Sequence, residues 1–273
     1  LLSCALLLQG CGLLPKKNEE AAAGGNEAAL TTGSGDEARQ DARDAFTLEV
    51  TSPSKDVTEY LQTHLDLQRY RKLDDLAASE VSRLMVAAEG NARELLNTLG
   101  YFTPTITLEL KETPESDKAP RSIHIDVDPG PATRVDKVQI DFAGPVADDA
   151  RDRAQRDEIR SGWKLPPGQI FTQPGWESAK TFGLRTLSAK RYPTARIASS
   201  KADIDADASQ AGLQVGYDSG PAYRFGPLTI NGAQRYDADA ARRIARLPVG
   251  EDYDQQKLLD AQLRLASSGY YDS

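Results

Sequence analysis

The chain has 273 residues, which allows one to three domains. Hydrophobic residues make up 39% of it, too few for one large core but suited to several small modules with much surface each. The net charge is -8 and the Lys and Arg are interleaved with acids, which argues against nucleic acid as a partner, because phosphate binding needs a dense basic face.

The two cysteines, Cys4 and Cys11, both lie at the extreme N-terminus. No thiol remains for a disulfide or a thiolate metal site in the folded region. Two histidines, His64 and His124, are too few for most zinc sites. No cofactor and no small-molecule substrate is therefore expected. Leu1 to Leu14 is apolar but short of the roughly 20 residues that span a bilayer as a helix. It reads as the apolar part of a secretory signal whose basic start is cut away, so residues 1–15 are assigned to a signal or lipoprotein segment. Within it, Leu8-Gln9-Gly10-Cys11 resembles a bacterial lipobox and makes Cys11 a candidate lipidation residue. The alternative is an ordinary signal peptide cut near Ala21-Ala22-Ala23, with Cys11 discarded. Either reading places the protein outside the cytoplasm. Residues 16–45 hold Leu30 as their only large apolar side chain, and are expected to form a disordered linker.

Phe46 to Val50 alternates and predicts a strand. Asp56 to Leu67 carries a weak helical pattern. Val81, Leu84, Met85, Ala88, Ala92, Leu95, Leu96 and Leu99 follow three-four spacing, and Gly100 supplies a C-terminal stop. Tyr101 to Leu110 and Ser122 to Val127 predict two more strands. The order is strand, helix, helix, strand, strand over residues 46–131. Residues 132–220 repeat it, with strands Arg134 to Phe142, Thr194 to Asp203 and Gly212 to Tyr217. Their helices run over Val146 to Ser161 and Pro174 to Lys190, the second with Trp176, Ala179, Gly183 and Leu187 on one stripe. Residues 221–273 begin a third unit with a strand over Tyr223 to Ile230 and helices over Asp237 to Arg246 and Tyr253 to Ser268. Its last two strands are not in the sequence, so this unit is read as incomplete.

The repeat is explicit. Asp128 to Ile140 aligns with Asp218 to Ile230 at an offset of 90, with six of 13 positions identical. Leu95 to Ile106, Leu184 to Ile197 and Leu263 to Tyr271 share a helix running into a corner. The corner tyrosines are Tyr101, Tyr192 and Tyr270, spaced by 91 and 78 residues.

The element order, together with Leu99-Gly-Tyr-Phe-Thr-Pro-Thr-Ile106, Tyr217-Asp-Ser-Gly-Pro-Ala-Tyr-Arg-Phe-Gly226, Gly250-Glu-Asp-Tyr253 and Leu265 to Ser273, resembles POTRA domains. These precede the barrel in the BamA/TamA outer-membrane assembly superfamily, and the TamA branch is the nearer likeness. The resemblance covers about residues 46 to 273. It implies an α+β fold of tandem POTRA modules, each a three-stranded mixed sheet against two helices, with an outer-membrane β-barrel beyond the C-terminus. It implies a non-enzymatic role in the periplasm of a Gram-negative bacterium. The partners it implies are unfolded outer-membrane clients such as autotransporters, received by strand addition, and an inner-membrane partner of TamB type. The alternatives are the POTRA region of another barrel-assembly or secretion-porin protein, or a free-standing outer-membrane lipoprotein scaffold. The residues carrying the module pattern are Gly100, Tyr101, Phe102, Tyr192, Gly220, Tyr223, Phe225, Gly226, Gly269 and Tyr270.

Read as residues, the tyrosines predict core anchors. Gly220 predicts a turn and Gly226 a close approach. Trp163 and Trp176 predict helix-to-sheet contact, and Asp126 and Asp128 lack the partners catalysis needs. Arg191-Tyr192-Pro193 stands where the first unit has Gly-Tyr-Phe, so that corner is expected to differ.

Overall fold

The computed structural model describes residues 44–73, 76–231 and 237–269. Cys11, Tyr270, the signal segment and all but the end of the expected linker lie outside the described residues.

In the first module the order is β1 (Thr47–Thr51), α1 (Lys55–His64), α2 (Ala78–Thr98), β2 (Thr105–Glu112) and β3 (Arg121–Asp128). The sheet order is β1-β3-β2. β1 runs parallel to β3, Val50 opposite Ile125, and β2 runs antiparallel to it, Leu108 opposite Ile125. A parallel pair needs a long crossover, which α1 and α2 supply. The predicted helix over Asp56 to Leu67 stops at His64, because Leu65 turns extended, and a 3-10 turn continues over Asp66–Tyr70. Ser54 caps α1 by accepting the Val57 amide at 3.4 Å. The stripe read from the sequence becomes the buried face of α2 at Val81, Ala88, Ala92 and Leu96. It closes over Ile123, Ile125 and Val127 of β3 together with Phe46, Leu61 and Leu67. Each fully buried large aliphatic here contributes roughly 1.5–3 kcal/mol relative to exposure.

The second module has β4 (Arg134–Ala143), a short α3 (Pro145–Asp148), α4 (Arg153–Ser161), α5 (Gln173–Ser188), β5 (Arg196–Asp205) and β6 (Gln210–Asp218). Its sheet order is β4-β6-β5, with the same parallel and antiparallel pairs. Thr172 caps α5 on the Gly175 amide at 3.1 Å. Trp163 and Trp176 meet edge to face, 6.1 Å apart, inside the core with Leu187, Leu213 and Tyr217. The architecture of both modules is a mixed α+β POTRA-like fold.

The third region holds α6 (Ala238–Ala245) and α7 (Gln255–Ser267). The strand expected over Tyr223 to Ile230 does not form. Among the described residues no strand lies beside it, and only Arg224 makes a bridge, to Asp252. A strand without a neighbour has no ladder to hold it extended.

Candidate functional site: sheet edges and module joints

A three-stranded sheet leaves the outer sides of its two flanking strands unpaired. In the first two modules the start of the first strand is already covered by the loop that leads into the second helix, and the equivalent segment of the third region is held in the same way. Ala45 N–H donates to the Arg71 carbonyl at 2.6 Å, Val135 to Gln169 at 2.9 Å and Phe225 to Glu251 at 2.9 Å. These three donors lie 90 residues apart, so the plug repeats with the modules. Gly168 N–H returns to Val135 at 2.8 Å, and Gly250 N–H to Phe225 at 2.8 Å.

The other edge belongs to β2 and β5, and these two differ. β5 is broken by a register shift between Ile197 and Ser199, and β4 by one between Val135 and Lys137. A bulge bends and twists an edge, which hinders extension of the ladder. β2 pairs without interruption through all eight of its residues. Ile106, Leu108 and Leu110 are half-buried on its inner face, while Thr105, Thr107, Glu109 and Lys111 are exposed. The β2 edge is therefore the most regular unpaired strand among the described residues.

The corner glycines and aromatics lie at the joints. Gly100 has φ +93°, and a Cβ there would stand 2.0 Å from the Phe171 carbonyl oxygen. Its own carbonyl accepts the Thr133 amide at 2.9 Å. Tyr101 is half-buried against the first core, whereas Phe102 packs against the second and lies 6.1 Å from the Phe171 ring. The Gly-Tyr-Phe corner thus joins two modules. Gly220 has φ +61°, and its amide donates to Asp218 at 3.1 Å, as Gly130 donates to Asp128 at 3.0 Å. Gly226 does not make the expected close approach: a methyl there would meet nothing within 4 Å. Gly269 follows α7 with φ +70°. Tyr223 is 41% exposed and acts through its backbone. Phe225 is buried, 5.7 Å from the Tyr253 ring.

The second joint holds a charged cluster that sequence reading missed. Arg191 occupies the position of Gly100 and keeps its left-handed backbone, with φ 58°. That conformation costs a non-glycine residue on the order of 1–3 kcal/mol. Its carbonyl accepts the Tyr223 amide at 2.7 Å, and its amide donates to the Tyr253 carbonyl at 2.8 Å. The guanidinium donates to Asp152 at 2.5 Å and to Asp149 at 3.0 Å. Its Nε is 3.4 Å from Asp252, within ion-pair reach but off the hydrogen-bond direction. Tyr192, fully buried, donates its hydroxyl to the other oxygen of Asp152 at 2.5 Å. The signal available in the sequence was an arginine where the other module has glycine.

The Arg151 hydrogen bonds, with Arg191 behind them, hold the Asp149 carboxyl well below the usual carboxylate range. Burial, then the bond to Asp152, pushes the Tyr192 phenol far up, and burial does the same to Tyr217. Both phenols are protonated in the fold, while the unfolded chain ionises them near its ordinary value of about 10. Stability is present in full below that pH and is expected to fall as pH rises above it. A urea midpoint that stays flat from about pH 9 to about pH 11 would contradict this.

The remaining acids have structural uses. Asp126 accepts the Thr51 hydroxyl at 2.7 Å and Asp128 caps the Gly130 turn. Glu80 accepts the Ala77 amide at 3.0 Å, and Glu89 pairs with Arg93 at 3.3 Å, both on the exposed face of α2. Among the described residues no cluster of three or more metal-ligating side chains occurs, and no helix is long and apolar enough to cross a membrane.

Two mixed three-stranded sheets, each with two main helices on one connection, define the class as POTRA-like modules in tandem. Residues 47–129 match the family model of the POTRA domain, TamA domain 1. The first module is therefore similar to that POTRA family over nearly its whole length. Solved structures similar to this chain include POTRA3-5 of Haemophilus influenzae BamA, 16% identical, covering 85% of this chain and 87% of that one with a TM-score of 0.45. POTRA1-3 of Omp85 from Anabaena is 14% identical, with 83% and 86% covered and a TM-score of 0.33. CdiB from Escherichia coli is 12% identical, with 68% of this chain but only 29% of that one covered and a TM-score of 0.28.

Proposed function

We propose that this chain is the periplasmic POTRA region of an outer-membrane assembly or secretion protein of TamA type. It receives unfolded outer-membrane clients by strand addition and couples to a TamB-type inner-membrane partner. The modules divide as 46–131, 132–220 and 221–273, the first facing that partner and the third facing the barrel. The observation that supports strand addition is the uninterrupted outer edge of β2, beside plugged first strands and a bulged β5. Backbone groups supply the affinity, and the alternating Ile106, Leu108 and Leu110 face favours clients that alternate likewise. The role is that of a non-catalytic scaffold.

Amide exchange tests the edge. An extended amphipathic peptide from a barrel strand is expected to slow exchange in Thr105–Glu112 and leave Arg196–Asp205 unchanged. Protection appearing on the helices instead would remove strand addition from the first module. Deleting residues 46–128 from the full protein is expected to abolish capture of the TamB-type partner, and retained capture would reassign that contact.

A further inference from the structure

The two joints are built on the same backbone corner but from opposite chemistry. At the first, Gly100 presents no side chain, one backbone bond crosses from Thr133, and the Phe102 and Phe171 rings meet. At the second, backbone bonds cross from Tyr223, Arg191 and Gln255, and the side chains are charged. We infer that the second joint is an electrostatic latch, released by salt independently of the first joint, with Arg191 as its fixed half and Asp252 as its releasable half.

The two halves differ in burial. The Arg191 side chain is 12% exposed and Asp152 3%, so that pair is shielded from ions and holds the guanidinium in place within the second module. Asp149 adds a second carboxylate from the same module. Asp252, from the loop before α7, is 36% exposed. It draws three cations together: Arg224 at 3.2 Å, Arg191 at 3.4 Å and Arg151 at 4.0 Å. A cleft of about 540 Å³ opens beside them, lined also by Glu158, Lys190, Glu251 and Lys257, and gives ions access. Salt screens exposed charges over a few ångströms and buried ones much less. The contact across the joint is thus weakened before the contacts within the second module.

The test uses the full chain and the neutral variant Asp252→Asn, which leaves the Arg191, Asp149 and Asp152 contacts in place. The readout is exchange protection at the amides of Arg191, Tyr223 and Gln255, whose bonds cross the joint. Raising salt from about 0.05 M to about 1 M is expected to lower this protection about three- to fivefold in the natural chain. Asp252→Asn should lower it comparably at low salt and show no further response. The Thr133 amide at the first joint should not respond in either chain. Both tryptophans, Trp163 and Trp176, lie in the second core, so an unchanged fluorescence melt shows that module intact. Three results would overturn the latch: no salt response in the natural chain, a full response retained in Asp252→Asn, or an equal response at Thr133.

Discussion

Replacing Gly100 by alanine is expected to open the joint between the first two modules while leaving both folded. Two costs coincide at this position. The φ of +93° is one that a side chain rarely adopts, worth on the order of 1–3 kcal/mol. The added methyl would also stand 2.0 Å from the Phe171 carbonyl, a backbone atom that cannot swing aside as a flexible side chain would. The segment carrying Phe171 must withdraw, and it carries the ring that meets Phe102 and the amide bonded to Thr133. Exchange protection at Thr133 should collapse, and scattering should show a wider spread of overall dimensions. Unchanged Thr133 protection would mean that the corner tolerates the methyl and that Gly100 does not set the joint.

Trp176→Ala is expected to destabilise the second module by about 3–5 kcal/mol, the range for emptying a large aromatic from a core. Trp176 is 4% exposed, meets Trp163 edge to face and lies 5.1 Å from the Lys180 ammonium. Its loss removes buried area, an aromatic pair and the ring that lets Lys180 lie nearly buried. Urea unfolding followed by far-ultraviolet circular dichroism should show the second module melting early, with the exchange of Leu96 and Ile125 in the first unaffected. A loss under about 1 kcal/mol would place Trp176 outside the core.

The repeat, the order of elements and the buried stripes were legible in the sequence. Each is a short-range regularity. The Val81 to Leu96 face of α2 follows from spacing within one helix, and the 90-residue alignment carries the glycine turn of Gly130 into Gly220 of the next module. Element ends were less legible. Tyr101 and Phe102 read as strand, but β2 starts at Thr105 because the chain turns at Gly100, sending Tyr101 onto its own core and Phe102 onto the neighbouring one. Tyr223 to Ile230 alternates like a strand and forms none, since alternation states a preference and only a partner provides the ladder.

By itself, the sequence determined that small α/β modules recur and which faces of their helices turn inward, because hydrophobic burial and backbone periodicity act locally. Only the tertiary structure decided which sheet edge is open. The plugs at Ala45, Val135 and Phe225 and the bulge at Ile197 and Ser199 depend on hydrogen bonds between distant segments. The same holds for the Arg191 cluster. Asp149, Asp152, Arg191 and Asp252 are up to 103 residues apart, and no local pattern announces that they meet. Long-range charge pairing has no sequence period, so the second joint became visible only once the chain was folded.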